Sequence, residues 1–140
     1  PFLALPPPKS TGREDFNLSW LESVLLRTGW ASAPVQDVQA TLAQFTAQTV
    51  ANAITRHVPN TQAVIVCGGG AYNLDLLMRL RQCLPGLPVL RSDQYGLAPE
   101  WIEAVAFAWL AAQCVKRIPV DLRHVTGARK PAVLGCIYPA

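Results

Sequence analysis

Three consecutive glycines, Gly68, Gly69 and Gly70, follow the apolar run Ala63-Val64-Ile65-Val66-Cys67 and precede Ala71-Tyr72-Asn73. Glycine adopts φ of either sign and carries no side chain to exclude a flat ligand. A purely structural turn needs one glycine, at most two, so the triplet points to close approach of a ligand to the backbone. Asn73 is of a type that caps helices. The exposed amides of a helix start favour phosphate or the polar groups of a base. Open α/β sheets bind ligands at the carboxyl edge of their strands, so the pattern is that of a nucleotide loop.

Two nucleotide readings fit this loop. A dinucleotide fingerprint G-x-G-x-x-G matches at Gly68 and Gly70 but meets Asn73 at the third position. Asp93, after the next apolar run, is its candidate ribose carboxylate, weakened by Ser92 and the loop that follows. The other reading is an adenosine loop, a strand–GGG–helix turn packed beside adenine and ribose. The loop alone does not separate them. A valine at Gly69 is expected to block the turn and to be forced to positive φ.

Pro7-Pro8-Lys9-Ser10-Thr11-Gly12-Arg13-Glu14 contains Lys-Ser-Thr but lacks the G-x-x-x-x-G of a phosphate loop. It reads as an extended strap running into a helix cap, or as a hinge with Lys9 and Arg13 facing a cleft. Glu103 is the single charge between Trp101 and Val115. A carboxylate in a first helical turn serves the helix dipole, but burial among apolar neighbours is costly without a partner. That cost favours a cleft-facing catalytic role. His57 and His124 have no acid or nucleophile at motif spacing and read as structural. Cys67, Cys83, Cys114 and Cys136 lie far apart in apolar segments, without zinc spacing. They read as buried, reduced thiols.

The elements that must position these residues are legible in outline. Pro6-Pro7-Pro8 forbids helix. Capping-box spacings at Thr11…Glu14 and Ser19…Glu22 introduce a helix from about Asn17 to Arg27, stopped by Gly29. Pro34 and Asp37 open a long amphipathic helix with Val35, Val38, Leu42, Phe45 and Thr49 in its stripe, ending near Val58-Pro59. Ala63 to Cys67 reads as a strand covered on both faces. A helix carrying Leu74, Leu77, Leu80 and Leu84 follows, then a short strand at Pro88-Val89-Leu90. Pro99 opens a helix from Glu100 to about Arg117, apolar nearly all round and therefore central. A turn at Thr126-Gly127 leads to a possible edge strand at Cys136-Ile137-Tyr138. The order helix, helix, strand, helix, strand, helix means an α/β fold.

The chain has 140 residues, 51% hydrophobic and 15% charged, with formal net charge +3. That is the size of one domain with a sizeable core. So lean a charged surface implies apolar area facing further chain or a partner. The basic residues are scattered, without aromatic interleaving, which argues against nucleic acid. The apolar stretch Ala104–Cys114 is too short to span a bilayer. With Pro1 first and no basic n-region, the chain reads as starting in mid-sequence, without a signal peptide.

The segments PPPKSTGREDFN, DVQATLAQFTAQTVA, VIVCGGGAYNLDLLMRL, APEWIEAVAFAWLA and VTGARKPAVLGCIYPA resemble, in order and wording, bacterial anhydro-N-acetylmuramic acid kinases. The resemblance runs from Pro6 to Pro139. It implies the two-lobed hexokinase, heat-shock-chaperone and actin superfamily. Residues 1–140 would be a single partial domain, the C-terminal strand-helix-strand-helix portion of a ribonuclease H-like (actin-like ATPase) lobe with preceding helices. It also implies ATP and Mg2+, an anhydro-amino-sugar substrate, a bacterial cytoplasmic location in peptidoglycan recycling, and a homodimer. Gly68, Gly69, Gly70 and Asn73 would form the adenosine loop, and Glu103 would lie near the sugar. No G-T-S-x-D-G stretch is present, so the general-base aspartate and first phosphate loop would belong to a missing N-terminal portion. This chain alone would then be inactive. A dinucleotide-binding oxidoreductase domain and a non-catalytic actin-like ATPase lobe are the alternatives.

Overall fold

The computed structural model describes residues 2–138. In chain order the elements are α1 (Leu18–Thr28), α2 (Val35–His57), β1 (Val64–Val66), α3 (Leu74–Cys83), β2 (Val89–Arg91), α4 (Ile102–Val115) and α5 (Arg123–Thr126). Single 3-10 turns lie at Phe2–Ala4, Gly69–Tyr72, Ser92–Tyr95 and Pro99–Trp101. The chain divides into two compact units, one running from Val35 to Trp109 and the other made of the segments on either side.

The unit from Val35 to Trp109 is an α/β arrangement. β1 and β2 pair in parallel, with Val64 opposite Val89, Ile65 opposite Leu90 and Val66 opposite Arg91. A parallel pair needs a crossover, and α3 supplies it. Leu77, Leu80 and Leu84 recur at helical spacing and are buried with Val89, Ala47 and Ala51. The buried line of α2 thus passes through two alanines, whereas Phe45 and Val50 remain 38% exposed. Small side chains let two helices approach closely, so the larger members of the expected stripe flank the contact. Arg79 reinforces the helix pair. Its Nε donates to Asp75 at 2.8 Å and its Nη1 to Gln44 on α2 at 3.1 Å.

Coverage of the strands on both faces is not found among the described residues. Val64 and Val66 pack on the core, but Ile65 points away and is 50% exposed. Two strands with helices on one side leave the alternate residue in the open.

In the other unit, Asn17 caps α1 by accepting from the Trp20 amide at 2.9 Å, and Gly29 ends it at φ 78°. The cap falls on neither capping-box threonine nor serine, because the Thr11 hydroxyl donates to Asp15 instead. Phe2, Phe16 and Trp20 stack edge to face, with centroids 6.0 and 5.0 Å apart. The expected edge strand at Cys136–Tyr138 does not form. Among the described residues one isolated antiparallel bridge joins Val120 to Ala132, after which the chain runs irregularly past Gly135.

Helix α4 corrects a further expectation, that of a central helix. Cys114 is its one buried residue among those described, while Val105, Phe107 and Trp109 are 45, 63 and 52% exposed. An apolar sequence demands cover on all sides, and the described residues supply too little. The cysteines are likewise not uniformly buried. Cys114 is buried and Cys83 half-buried, but Cys67 and Cys136 are exposed, and no disulfide is formed. Among the described residues no helix is long and apolar enough to cross a membrane.

Candidate nucleotide site

Strand β1 ends at Val66 and delivers the chain to the carboxyl edge of the parallel pair, where β2 ends at Arg91. Gly68 turns the chain there with φ 69° and ψ −170°. That combination belongs essentially to glycine. Gly69 and Gly70 enter the following 3-10 turn without positive φ. The expectation that a valine at Gly69 meets backbone strain is thereby corrected, because the strained position is Gly68. A Cβ at Gly69 would meet nothing within 4 Å. Of the three, Gly69 alone combines open space with ordinary φ, since a Cβ at Gly68 is as free but strained and one at Gly70 meets Leu76 at 3.6 Å.

Asn73 caps α3, its Oδ1 accepting from the Leu76 amide at 3.0 Å. With that amide engaged and Asp75 in the first turn, the start of α3 is a poor host for phosphate. The negative carboxylate already occupies the favourable end of the dipole. The loop is better suited to an uncharged ring system than to a phosphate group.

Four residues outside the predicted set complete this edge. The amide of Gly68 donates to the carbonyl of buried Pro99 at 2.9 Å. The Tyr72 hydroxyl donates to Oε2 of Glu100. The guanidinium of Arg91 lies 4.8 Å from the centre of the Tyr72 ring and is paired with Asp93. The hydrogen bond to Glu100, then partial burial, raise the Tyr72 hydroxyl above its ordinary pKa. The same bond, with a backbone hydrogen bond, lowers the Glu100 carboxyl. Asp93 alone was visible in the sequence as a candidate, in the role of ribose ligand, but here it neutralises Arg91. Ser92, between the pair, is 3% exposed, and its Oγ has no hydrogen-bond partner among the described residues.

Glu103 stands in the first turn of α4, two residues beyond the Pro99–Trp101 turn. It is exposed, so the cost of burying a lone carboxylate does not bear on it. The chain brings it close in sequence to the residues that grip the glycine loop. Lys9 and Arg13 lie in the other unit. The Lys9 ammonium donates to the carbonyls of Phe2 and Leu3 at 3.2 and 3.0 Å and lies 5.1 Å over the Phe2 ring. It is engaged within its own segment. Arg13 is exposed. No group of three or more His, Cys, Asp or Glu side chains is placed to hold a metal among the described residues.

A parallel strand pair with a glycine turn at its carboxyl edge, feeding a capped helix, defines an α/β protein with a candidate ligand site at that edge. Comparison with known proteins narrows the class. The family model for anhydro-N-acetylmuramic acid kinase matches residues 1–140, and the chain belongs to that family. Anhydro-N-acetylmuramic acid kinase of Xanthomonas campestris pv. campestris is 53% identical over 140 residues, covering all of this chain and 36% of the relative. The Ralstonia nicotianae enzyme of the same name is 51% identical over 140 residues, with the same coverage. That of Bordetella petrii is 53% identical over 141 residues, covering all of this chain and 37% of the relative. The chain thus spans little more than a third of the length of these curated relatives.

Proposed function

We propose that residues 1–140 supply the adenosine-binding, C-terminal lobe of a two-lobed kinase, forming one partial domain of ribonuclease H-like, actin-like type. The reaction is transfer of the ATP γ-phosphoryl group to O6 of 1,6-anhydro-N-acetylmuramic acid. The bond from that phosphorus to ADP breaks. The C1–O6 bond opens, and the oxygen of one water attaches to C1 as its proton leaves to a base. The products are N-acetylmuramic acid 6-phosphate and ADP. The setting is peptidoglycan recycling in the bacterial cytoplasm, by a homodimer whose N-terminal portion holds the base and first phosphate loop.

The observation that carries this reading is the match of all 140 residues to the kinase family. The glycine turn gives it a place to act. Phosphoryl transfer depends mostly on positioning and on stabilising charge. Gly68 to Gly70 offer adenosine a backbone surface free of side chains, Asn73 fixes the helix behind it, and Glu103 faces sugar or water. Closure of two such lobes excludes wasteful water, and here it must retain the one that opens the ring.

Mg2+ supplies charge neutralisation to nucleotide phosphates when bound. The described carboxylates beside the loop do not suit it, since Asp75 is paired with Arg79, Asp93 with Arg91, and Glu100 accepts from Tyr72.

The test is Gly69→Val in the full-length protein, titrated with ATP. The middle glycine has room for a side chain and ordinary φ, so the valine changes what a ligand meets more than what the fold meets. A tenfold or greater loss of ATP affinity is expected, with ADP release in the presence of anhydro-sugar falling in step. Unchanged affinity removes the loop from the site.

A further inference from the structure

The glycine loop and the head of α4 are held together twice within the unit from Val35 to Trp109. One bond is backbone to backbone, from the Gly68 amide to the Pro99 carbonyl at 2.9 Å. The other joins side chains, from the Tyr72 hydroxyl to Glu100. The two attachments come from opposite ends of the glycine turn, so they resist rotation as well as separation. Pro99 is among the largest fully buried side chains and gives the pair a fixed footing. The Arg91 guanidinium lies over the Tyr72 ring, 4.8 Å from its centre, and Asp93 in turn orients it. Three residues after Glu100, without a break in helical structure, comes Glu103.

We propose that Tyr72 is a positioning residue that, through Glu100, couples occupancy of the glycine loop to the placement of Glu103. The proposal rests on the adenosine reading of the loop. A ring seated against Gly69 shifts or stiffens the 3-10 turn that ends in Tyr72. The Tyr72–Glu100 bond passes that change to the Pro99–Trp101 turn and so to the first turn of α4. Coupling of this kind is reciprocal: a ligand at Glu103 changes nucleotide affinity by the factor that nucleotide changes the ligand's.

The experiment uses the full-length protein and a non-hydrolysable ATP analogue. Its Kd is measured by calorimetry with and without saturating 1,6-anhydro-N-acetylmuramic acid. In the wild type the sugar is expected to tighten the analogue. Tyr72→Phe removes only the hydroxyl, and should cut that factor by about threefold to tenfold, the range for loss of one charge-assisted hydrogen bond at a half-exposed site. Analogue affinity without sugar should change little. Glu100→Ala should behave like Tyr72→Phe, whereas Glu100→Gln retains a carbonyl acceptor and should restore most of the factor. A merely structural role would not distinguish glutamine from alanine through the sugar alone. An unaltered factor in Tyr72→Phe, or a wild-type factor of one, overturns the proposal while leaving the adenosine reading standing. Wild-type protein that binds no adenine nucleotide overturns that reading and the proposal with it.

Discussion

The amide of Gly68 donates to the carbonyl of Pro99 at 2.9 Å, so the residue that turns the chain out of β1 is tied to the residue that opens the approach to α4. A glycine loop closed on itself would only bend the chain. This one is clamped to the segment that carries Glu100 and Glu103, which makes its conformation matter beyond the turn.

Gly68 and Gly69 should respond differently to alanine. Gly68 holds φ 69° and ψ −170°, and a Cβ there is expected to cost about 1–3 kcal/mol of backbone strain. Gly69 lacks positive φ and has open space around it, so Gly69→Ala should change stability by less than about 1 kcal/mol. Urea unfolding of the two full-length variants measures the difference. Equal losses would show that the strain does not reside at Gly68.

Ser92 is buried with its hydroxyl unpartnered among the described residues. An unsatisfied buried hydroxyl costs about 1–3 kcal/mol. Ser92→Ala should therefore leave the ligand-free full-length protein equally stable or about 1 kcal/mol more stable. A loss of more than about 1 kcal/mol in chemical denaturation would mean that Ser92 has found a partner elsewhere in the protein.

Glu103 tests the division between helix-end and active-site carboxylates. A charge serving only the dipole contributes about 0.3–1 kcal/mol to stability and nothing to chemistry. One that orients the attacking water or a sugar hydroxyl should matter by about tenfold to a thousandfold in turnover. In Glu103→Gln, a small thermal shift with a large fall in turnover at saturating ATP and sugar is expected. Near-normal turnover sinks the active-site role.

Asp121 sets a pH dependence at the other end of the chain. The Arg123 guanidinium reaches both its oxygens through three bonds, at 2.9, 3.1 and 2.7 Å, and the Arg123 amide adds a fourth at 3.1 Å. These hold the carboxyl down to about 2 against an ordinary 3.8. The depressed folded-state value means that the contribution is present in full above the unfolded value. It is lost as pH falls from near 3.8 through about 2. The site is exposed, so a local effect is expected, best read as the NMR titration midpoint of the Asp121 carboxyl carbon. A midpoint at the ordinary value would show that the Arg123 pairing does not persist in solution.

The local grammar of the chain placed most of its elements, but not the expected edge strand at Cys136–Tyr138, which does not form, nor α5, which it read only as a turn. Asn17 and Gly29 bound α1, Asn73 caps α3, and β-branched Val64 to Val66 followed by glycine ends a strand, because each of these rules acts over a few neighbouring residues. Five sequence segments likewise sufficed for the family. Tertiary structure alone decided which glycine of three bears the positive φ and which line of α2 meets α3, where Ala47 and Ala51 displace Phe45 from the contact. It alone left Ile65 and most of α4 uncovered among the described residues. It alone brought Tyr72 to Glu100, 28 residues away in sequence, and laid Arg91 over the tyrosine ring. Such pairs carry no local signal. A tyrosine after a glycine turn and an acid after a proline are each ordinary in their own segment, and only the pairing of β1 with β2, set by burial of Leu77, Leu80 and Val89 in one core, carries the two to the same edge.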